Sequence, residues 1–176
     1  PTIRTPKVQR QKKKPIISPA EQQQLIEILL SETNGLCYIF IMNTGVRPGE
    51  NGGMKWKHYS YENANVKVRD NYGKVTYYDD NFEKIESTYE EKDLKTPSSY
   101  RNIPLQNWLN NLMHTYMLYV MKQKGYTNKK QLDDEYIFMN SLGHALSSDY
   151  LWDTLDKILK RHNFKHLSVI IMMRMT

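Results

Sequence analysis

The sequence predicts an α+β fold that is mostly helical, with a small antiparallel β-sheet on one edge. Apolar residues recur at helical spacing near the start of the chain, after residue 105 and after residue 147. Between the first two of these regions, residues 65–103 alternate β-forming and polar residues, with interruptions by Asn, Asp and Gly. The 176 residues amount to about one domain and are enough to form a sizeable core.

The first predicted helix begins at the tetrapeptide Ser18, Pro19, Ala20 and Glu21. This pattern is a capping box, S-x-x-E, with proline at the first helical position. Apolar side chains follow it at Leu25, Ile26, Ile28, Leu29 and Leu30. We therefore expect a helix over about residues 19–31.

The next segment, from Leu36 to Met42, is apolar at every position. Its periodicity does not distinguish a helix from a strand, and we expect it to be buried in either conformation. Gly45 is predicted to end it. Pro48 is then predicted to be the first residue of a new turn. That region is predicted to end at the segment KWK, residues 55–57.

The predicted sheet is built from short strands with the sequences NVKVR, KVTYY, KIESTY and SYRNIPL. The segments DNYG and DDNFE are predicted to be turns, or punctuation, between strands. The stretch from residue 79 to residue 93 carries an acidic run. Such a run is usually the solvated rim of a hairpin, and we assign no metal site to it. The acids are Asp79, Asp80, Glu83, Glu86, Glu90, Glu91 and Asp93, against Lys84 and Lys92.

Two further helices are predicted in the second half of the chain. The first has a stripe of Met and aromatic residues that ends at Gly125, a pattern far more typical of a core than of a cofactor site. Ser147 and Ser148 cap the second, and the segment YIFM at 136–139 is expected to be a short buried strand or turn. The stripe comprises Leu105, Trp108, Leu109, Leu112, Met113, Tyr116, Met117 and Val120, and the last helix has one face of Leu151, Leu155, Ile158 and Leu159.

Residues 1–14 form a segment that we call the basic arm. It holds six positive charges and no acid, which equals the net charge of +6 of the whole chain. The arm has no apolar face to bury, so we expect a flexible arm or interdomain linker. A polyanion such as nucleic acid is the expected partner, and a solvated tail without function is the alternative. The residues assigned to DNA binding are Lys7, Arg10, Lys12, Lys13 and Lys14.

Cysteine content and apolar run length exclude several classes of protein. With Cys37 as the single cysteine, neither a disulfide framework nor a cysteine-based zinc site is possible. The longest apolar stretch is far below the roughly 20 residues that span a bilayer, and there is no signal peptide. The sequence therefore predicts a soluble chain in a reducing, intracellular compartment.

Two motifs carry a resemblance to a known family. The segment TGVRPGE at 44–50, followed by MKWKHY, resembles the first catalytic box of the tyrosine recombinases, the phage and transposon integrases. The segment LKTPSSYRNIPL at 94–105 resembles the family's β-hairpin segment with its active-site lysine. The resemblance spans roughly residues 15–167. It implies a tyrosine-recombinase catalytic domain over residues 15–176, preceded by the basic arm as an interdomain linker.

The resemblance implies a role for Arg47, Glu50 and Lys95. A phosphodiester has anionic oxygens, so a site that cleaves it needs fixed cations where negative charge grows. Arg47 is expected to clamp the phosphate, since a guanidinium donates two parallel hydrogen bonds, and Glu50 is expected to orient it. Lys95 is expected to protonate the 5′ oxygen that leaves. The alternatives are a plain connection between helices with a surface Arg–Glu pair, and an exposed loop lysine.

The end of the chain departs from the family pattern of an H-x-x-R-H box followed by a nucleophilic tyrosine. The resemblance aligns Arg174 with the arginine of that box and implies a second phosphate clamp; the alternative is a tail residue without function. Ile171 and Met175 stand where histidines are expected, and no tyrosine follows Tyr150. We expect a catalytic domain that is incomplete at its C-terminal end, without the nucleophile. His162 and His166 are expected to be surface or helix-end residues.

The family mechanism implies that this chain belongs to a site-specific DNA recombinase. A tyrosine attacks the scissile phosphate to give a 3′-phosphotyrosyl intermediate, and no metal or nucleotide cofactor is needed. The implied partners are double-stranded DNA and further copies of the chain on it, in the cytoplasm of a bacterium and associated with its nucleoid, without a membrane. The main alternative is a catalytically inactive integrase-like DNA-binding module, and a type IB topoisomerase is a weaker one.

Overall fold

The computed structural model describes residues 17–94 and 99–164. Helices and strands alternate in blocks, so the predicted α+β class is confirmed. Within the described ranges, the α-helices are α1 (Pro19–Leu30), α2 (Gly35–Thr44), α3 (Pro48–Gly52), α4 (Asn107–Lys124) and α5 (Ser148–Arg161), and the strands are β1 (Tyr59–Ser60), β2 (Asn65–Val68), β3 (Asp70–Tyr78), β4 (Lys84–Asp93) and β5 (Arg101–Pro104).

Helix α1 begins at the predicted capping box. The Ser18 hydroxyl accepts a hydrogen bond from the Glu21 backbone N–H, and the Glu21 carboxylate accepts one from the Ser18 N–H at 2.7 Å. Leu25 and Leu29 face the core and are fully buried. The helix therefore starts at the predicted residue, and it ends at Leu30, one residue before the predicted end.

The apolar run forms a helix, α2, which lies in the middle of the core. Every residue from Cys37 to Met42 is fully buried, which explains why its sequence shows no polar face. Within this run, the Tyr38 hydroxyl donates to the Leu151 carbonyl at 2.9 Å, and Cys37 Sγ accepts from Asn51 Nδ2 at 3.0 Å. Gly45 ends the helix as predicted, in the left-handed region at φ 64°, with its N–H bonded to the Ile41 carbonyl.

The strands form two antiparallel sheets, whereas the sequence predicted one. A three-stranded sheet has the order β1-β2-β5, and β3 and β4 form a separate two-stranded hairpin. The prediction of DNYG as punctuation was wrong, because these residues are the first part of β3 and pair with β4 up to Asp93. The hairpin turn lies at DDNFE, residues 79–83, as predicted, and there one Asp79 carboxylate oxygen accepts from the backbone N–H groups of Asn81 and Glu83.

Helices α4 and α5 close the core with the faces that the sequence predicted. Leu109, Met113, Met117 and Val120 of α4 are buried, and Gly125 ends this helix at φ 68°. Trp108 was predicted to lie in the core but is 42% exposed, and its indole N–H donates to Gln106 at 2.7 Å. The α5 face of Leu151, Leu155, Ile158 and Leu159 is buried as predicted.

The segment YIFM contributes isolated bridges and buried side chains. Tyr136 pairs with Lys55, and Met139 pairs with Ala145, while Ile137 and Phe138 are buried in the core. This agrees with the expected short buried strand or turn. Among the described residues, no helix is both long enough and apolar enough to cross a membrane.

Candidate active site

Arg47 lies at the junction between α2 and α3. It is the residue before α3, with an extended backbone (φ −71°, ψ 150°), and Pro48 occupies the first helical position. The preceding residue, Val46, is fully buried and anchors the junction to the core. The Arg47 side chain, in contrast, is 69% exposed. The turn therefore presents this guanidinium to solvent.

Glu50 holds Arg47 through both its backbone and its side chain. One carboxylate oxygen of Glu50 accepts from the Arg47 backbone N–H at 2.9 Å, and the other accepts from Arg47 Nη1 at 3.0 Å. The Glu50 side chain is only 2% exposed. A buried carboxylate is stable only when its oxygens are hydrogen-bonded, so further donors must reach it.

Arg101 supplies those donors. It is the first residue of β5, and its Nη1 and Nη2 atoms donate to the two oxygens of Glu50 at 3.0 and 2.8 Å. The two parallel bonds are the geometry in which a guanidinium binds a carboxylate most strongly. Arg101 was not among the predicted site residues, although it is the arginine of the SYRNIPL stretch in the second motif. The hydrogen bonds thus link the two motifs through one carboxylate.

The electrostatics keep Glu50 ionised. Burial alone raises the pKa of Glu50, but the hydrogen bonds from Arg101 and from the Arg47 backbone, together with the charges of both arginines, lower it below its ordinary value. The hydrogen bond to Glu50 in turn raises the pKa of Arg101. The three residues therefore form one charged unit with a net charge of +1, whose most exposed member is the Arg47 side chain.

A cleft of about 600 Å³ opens beside Arg47. Arg47, Gly49 and Glu50 form one wall, and the base of the β3–β4 hairpin forms the other. Leu94 and Ser99 also line it, and these are the described residues on either side of the segment that contains Lys95. The hairpin contributes Asn71, Lys92 and Asp93 to the lining.

The glycines after Arg47 let the hairpin approach α3 closely. A Cβ atom on Gly53 would lie 2.8 Å from the Asp70 carbonyl carbon, and one on Gly52 would lie 2.7 Å from the Leu146 carbonyl oxygen. Real Cβ atoms essentially never come so near to backbone atoms. The two consecutive glycines, Gly52 and Gly53, are thereby explained by packing against β3 and the chain before α5.

Several predicted site residues lie outside the described residues. These are Lys95, Arg174 and the basic-arm residues Lys7, Arg10, Lys12, Lys13 and Lys14, together with His166. His162 ends α5 and lies 2.9 Å from a Glu32 carboxylate oxygen, which agrees with its expected place at a helix end. In residues 17–94 and 99–164, no group of three or more His, Cys, Asp or Glu side chains could hold a metal ion.

Comparison with known proteins decides the family. Residues 16–169 match the phage integrase family model. The chain belongs to the phage integrase family. Over 147 residues, this integrase-family chain is 26% identical to the tyrosine recombinase XerC-like protein of Caldanaerobacter subterraneus subsp. tengcongensis, a match that covers 82% of the chain and 37% of that protein.

Solved structures show the same fold. The Tn1549 transposon integrase in complex with transposon right end DNA superimposes with a TM-score of 0.71 at 16% identity, covering 96% of this integrase-family chain and 53% of that one. The XerA recombinase matches with a TM-score of 0.64 at 14% identity over 94% of this chain and 50% of its own. The XerH recombinase bound to a palindromic difH substrate gives 0.60 at 16% identity, covering 97% and 43%. The chain thus spans between about a third and about a half of the length of these relatives.

Proposed function

We propose that this chain is the catalytic domain, residues 15–176, of a site-specific DNA recombinase that breaks and rejoins strands. The observation that carries the proposal is the Arg47 guanidinium, exposed in a cleft and anchored by a buried carboxylate that Arg101 also holds. Such an arrangement holds the Arg47 guanidinium in place and still leaves it free to bind a phosphate. Its side chain contacts Glu50 through Nη1 alone, so most of the five N–H donors of arginine remain available.

Arg47 acts on the phosphate by electrostatic stabilisation. Two of its donors bind the two non-bridging oxygens of the scissile phosphate, whose negative charge increases as a nucleophile attacks. Glu50 keeps the guanidinium in place, and the ion pair with Arg101 keeps Glu50 in place. This preorganisation means that the cation does not have to be reoriented during the reaction.

The remaining steps follow the family mechanism. A tyrosine hydroxyl attacks phosphorus, the P–O5′ bond breaks, and Lys95 gives a proton to the departing 5′ oxygen. The product is a 3′-phosphotyrosyl intermediate, and the 5′-hydroxyl of a second strand reverses the step. Arg174 acts as a second phosphate clamp. The reaction requires duplex DNA and more than one copy of the chain on it.

We infer that none of the 13 tyrosines in this sequence is the nucleophile. All of them precede Arg174, whereas the family's tyrosine follows the second arginine. Burial also raises the pKa of Tyr38 and Tyr59, whose hydroxyls donate within the core. The chain by itself is therefore expected to bind duplex DNA weakly and to form no covalent adduct.

The experiment mixes the chain with a nicked DNA duplex that carries the end sequence of the mobile element encoding it. The nick traps any covalent protein–DNA intermediate, and a denaturing gel separates that product from free protein. Weaker DNA binding by Arg47→Ala and by Arg47→Lys, without a protein-linked band, supports the proposal, because lysine does not donate two parallel bonds. Absence of DNA binding by the unsubstituted chain contradicts it. A protein-linked band that one Tyr→Phe substitution removes would place the nucleophile within these 176 residues.

The second candidate function is an inactive integrase-like module that only occupies DNA sites. The observation that favours it is the pair Ile171 and Met175 at the positions where the family box has histidines. The DNA sequence downstream of the codon for Thr176 distinguishes the two. A tyrosine codon in an open frame there supports the recombinase, and a stop codon supports the module.

A further inference from the structure

The first part of β3 carries residues that strands disfavour. Asn71 and Gly73 lie in the pairing region of β3, although both residue types are depleted in strands, and this is why the sequence predicted no strand here. Positions at which local preference and the observed structure disagree are often functional. These two residues therefore call for an explanation beyond the hairpin itself.

The Asn71 side chain lies in a slot between two glycines. A Cβ atom on Gly49 would lie 2.3 Å from Asn71 Oδ1, and one on Gly73 would lie 2.9 Å from Asn71 Nδ2. Any larger residue at position 49 or 73 would displace the carboxamide from this slot. Gly49 is two residues from Arg47, and Asn71 lines the same cleft as Arg47, so the slot holds the carboxamide beside the cation.

Lys92 reinforces this wall of the cleft. It is the direct cross-strand partner of Asn71, and cross-strand partners project from the same face of a sheet. Its ammonium donates to the Lys74 carbonyl at 2.9 Å, which fixes its position and leaves two further N–H donors. Asp93, the last residue of β4, also lines the cleft, so this wall carries one carboxylate next to the ammonium.

We propose that the Asn71 carboxamide, with Lys92 beside it, binds a second phosphate of the DNA backbone, next to the one that Arg47 binds. A carboxamide N–H and an ammonium both donate to phosphate oxygens, and contacts of this kind set the register of a protein on DNA. The proposal rests on the proposed function, because it takes the cleft to hold a DNA strand. It assigns the base of the hairpin to DNA positioning, in addition to the arginine of the first motif.

The test compares Asn71→Asp, Asn71→Ala and Lys92→Gln with the unsubstituted chain, by fluorescence anisotropy with a labelled duplex at several salt concentrations. Asn71→Asp preserves shape but places a negative charge against phosphate, so we expect it to weaken binding by about tenfold, and more than Asn71→Ala does. Lys92→Gln should lower the slope of log affinity against log salt by about 0.9.

Asn81→Asp is the matched control. It makes the same change of charge on the same hairpin, at the turn away from the cleft, so its affinity should stay within about twofold of the unsubstituted chain. A second readout is the NMR signal of the Asn71 side-chain amide in a ¹⁵N-labelled sample. The signal is assigned to Asn71 because it is absent from the spectrum of Asn71→Asp. This signal should shift when duplex is added, while that of Asn81 should not.

The outcomes separate this inference from the proposed function. If the unsubstituted chain does not bind duplex DNA, the proposed function itself fails. If Arg47→Ala weakens binding while Asn71→Asp and Asn71→Ala stay within about twofold and the Asn71 amide signal does not move, the second phosphate contact is overturned and the function stands. Equal losses of DNA affinity in Asn71→Asp and Asn81→Asp also overturn the second phosphate contact. They would show that binding responds only to the total charge of the chain.

Discussion

Arg101 and Glu50 are 51 residues apart in the chain, yet they form a two-point ion pair with N–O distances of 2.8 and 3.0 Å. The pair ties strand β5, which begins within the second motif, to the short helix α3, which begins within the first motif. Glu50 is buried, and Arg101 is 34% exposed. Since Glu50 also binds Arg47, the position of the exposed cation depends on a residue that lies far from it in sequence.

Glu50→Gln should destabilise the fold. Glutamine keeps the shape of the side chain but removes the charge that two guanidinium groups bind. Because Arg101 is partly solvated, we expect a loss of about 2 kcal/mol in the free energy of unfolding, below the value for a fully buried pair. Urea denaturation measures it, with the exposed Glu83→Gln at the hairpin tip as the control expected to change little. Equal stabilities for Glu50→Gln and the unsubstituted chain would contradict the role of the pair.

The stabilisation by Glu50 should depend on pH. The pKa of Glu50 is lowered in the folded state, so its contribution is fully present above the pKa of an unfolded glutamate, about 4.3, and is lost as the pH falls through the folded value. The stability difference between the unsubstituted chain and Glu50→Gln should thus be constant between pH 5 and pH 7 and shrink below about pH 4. A difference that grew on acidification would have the wrong sign.

Gly53→Ala should destabilise the protein although helix propensity favours alanine. The backbone at Gly53 (φ −79°, ψ −2°) suits any residue, so strain is not the reason. The added Cβ would lie within 3.0 Å of three backbone atoms of Asp70 and Asn71, and we expect a cost of about 1–3 kcal/mol by thermal denaturation. Gly143→Asn is the control for steric contact, since no atom lies within 4 Å of a Cβ there, and its cost is limited to the strain of asparagine at a φ of 83°. A higher melting temperature for Gly53→Ala would show that α3 and β3 are not in close contact.

Cys37 should be unreactive in the native protein. Burial raises the pKa of its thiol to about 12, so at pH 8 only about one molecule in ten thousand carries the reactive thiolate. A thiol-specific disulfide reagent should react slowly under native conditions and rapidly in guanidinium chloride, where the thiol is exposed. Fast stoichiometric reaction without denaturant would indicate that the α2 core opens readily.

The basic arm should determine the salt dependence of DNA binding. Deleting residues 1–14 removes six cations and should reduce the slope of log affinity against log salt by up to about 5. Replacing only Lys12, Lys13 and Lys14 with glutamine keeps the length of the arm and should reduce the slope by about 3. An unchanged slope in both variants would identify the arm as a tail without a role in binding.

Local signals in the sequence predicted most helix boundaries. The capping box at Ser18, the stop at Gly45 and the stop at Gly125 each depend on residues within one turn, and all three are observed. The apolar run of α2 carried no such information about its conformation, because a segment surrounded by core on all sides has no polar face from which to determine a period.

Long-range contacts explain what the sequence did not reveal. Arg101 contributes to the site only because β5 lies near α3, which no local pattern records. The strand at Asn71 and Gly73 likewise forms against local preference, since its neighbours are the glycines of α3 and the residues of β4. Arg47 and Glu50 were identifiable because they are three residues apart within one motif.

The hairpin is anchored at one end only, which makes its length adjustable. Its base packs against α3, whereas at the turn Phe82 is 88% exposed and takes a left-handed backbone. Removing or adding the same number of residues on both strands near the turn would leave the pairing at the base unchanged, including Asn71 with Lys92, while an unequal change would shift one strand against the other. The turn is accordingly the place to attach a fluorophore or an affinity tag without disturbing Arg47, and related chains with longer or shorter hairpins are expected to differ there by equal numbers of residues on the two strands.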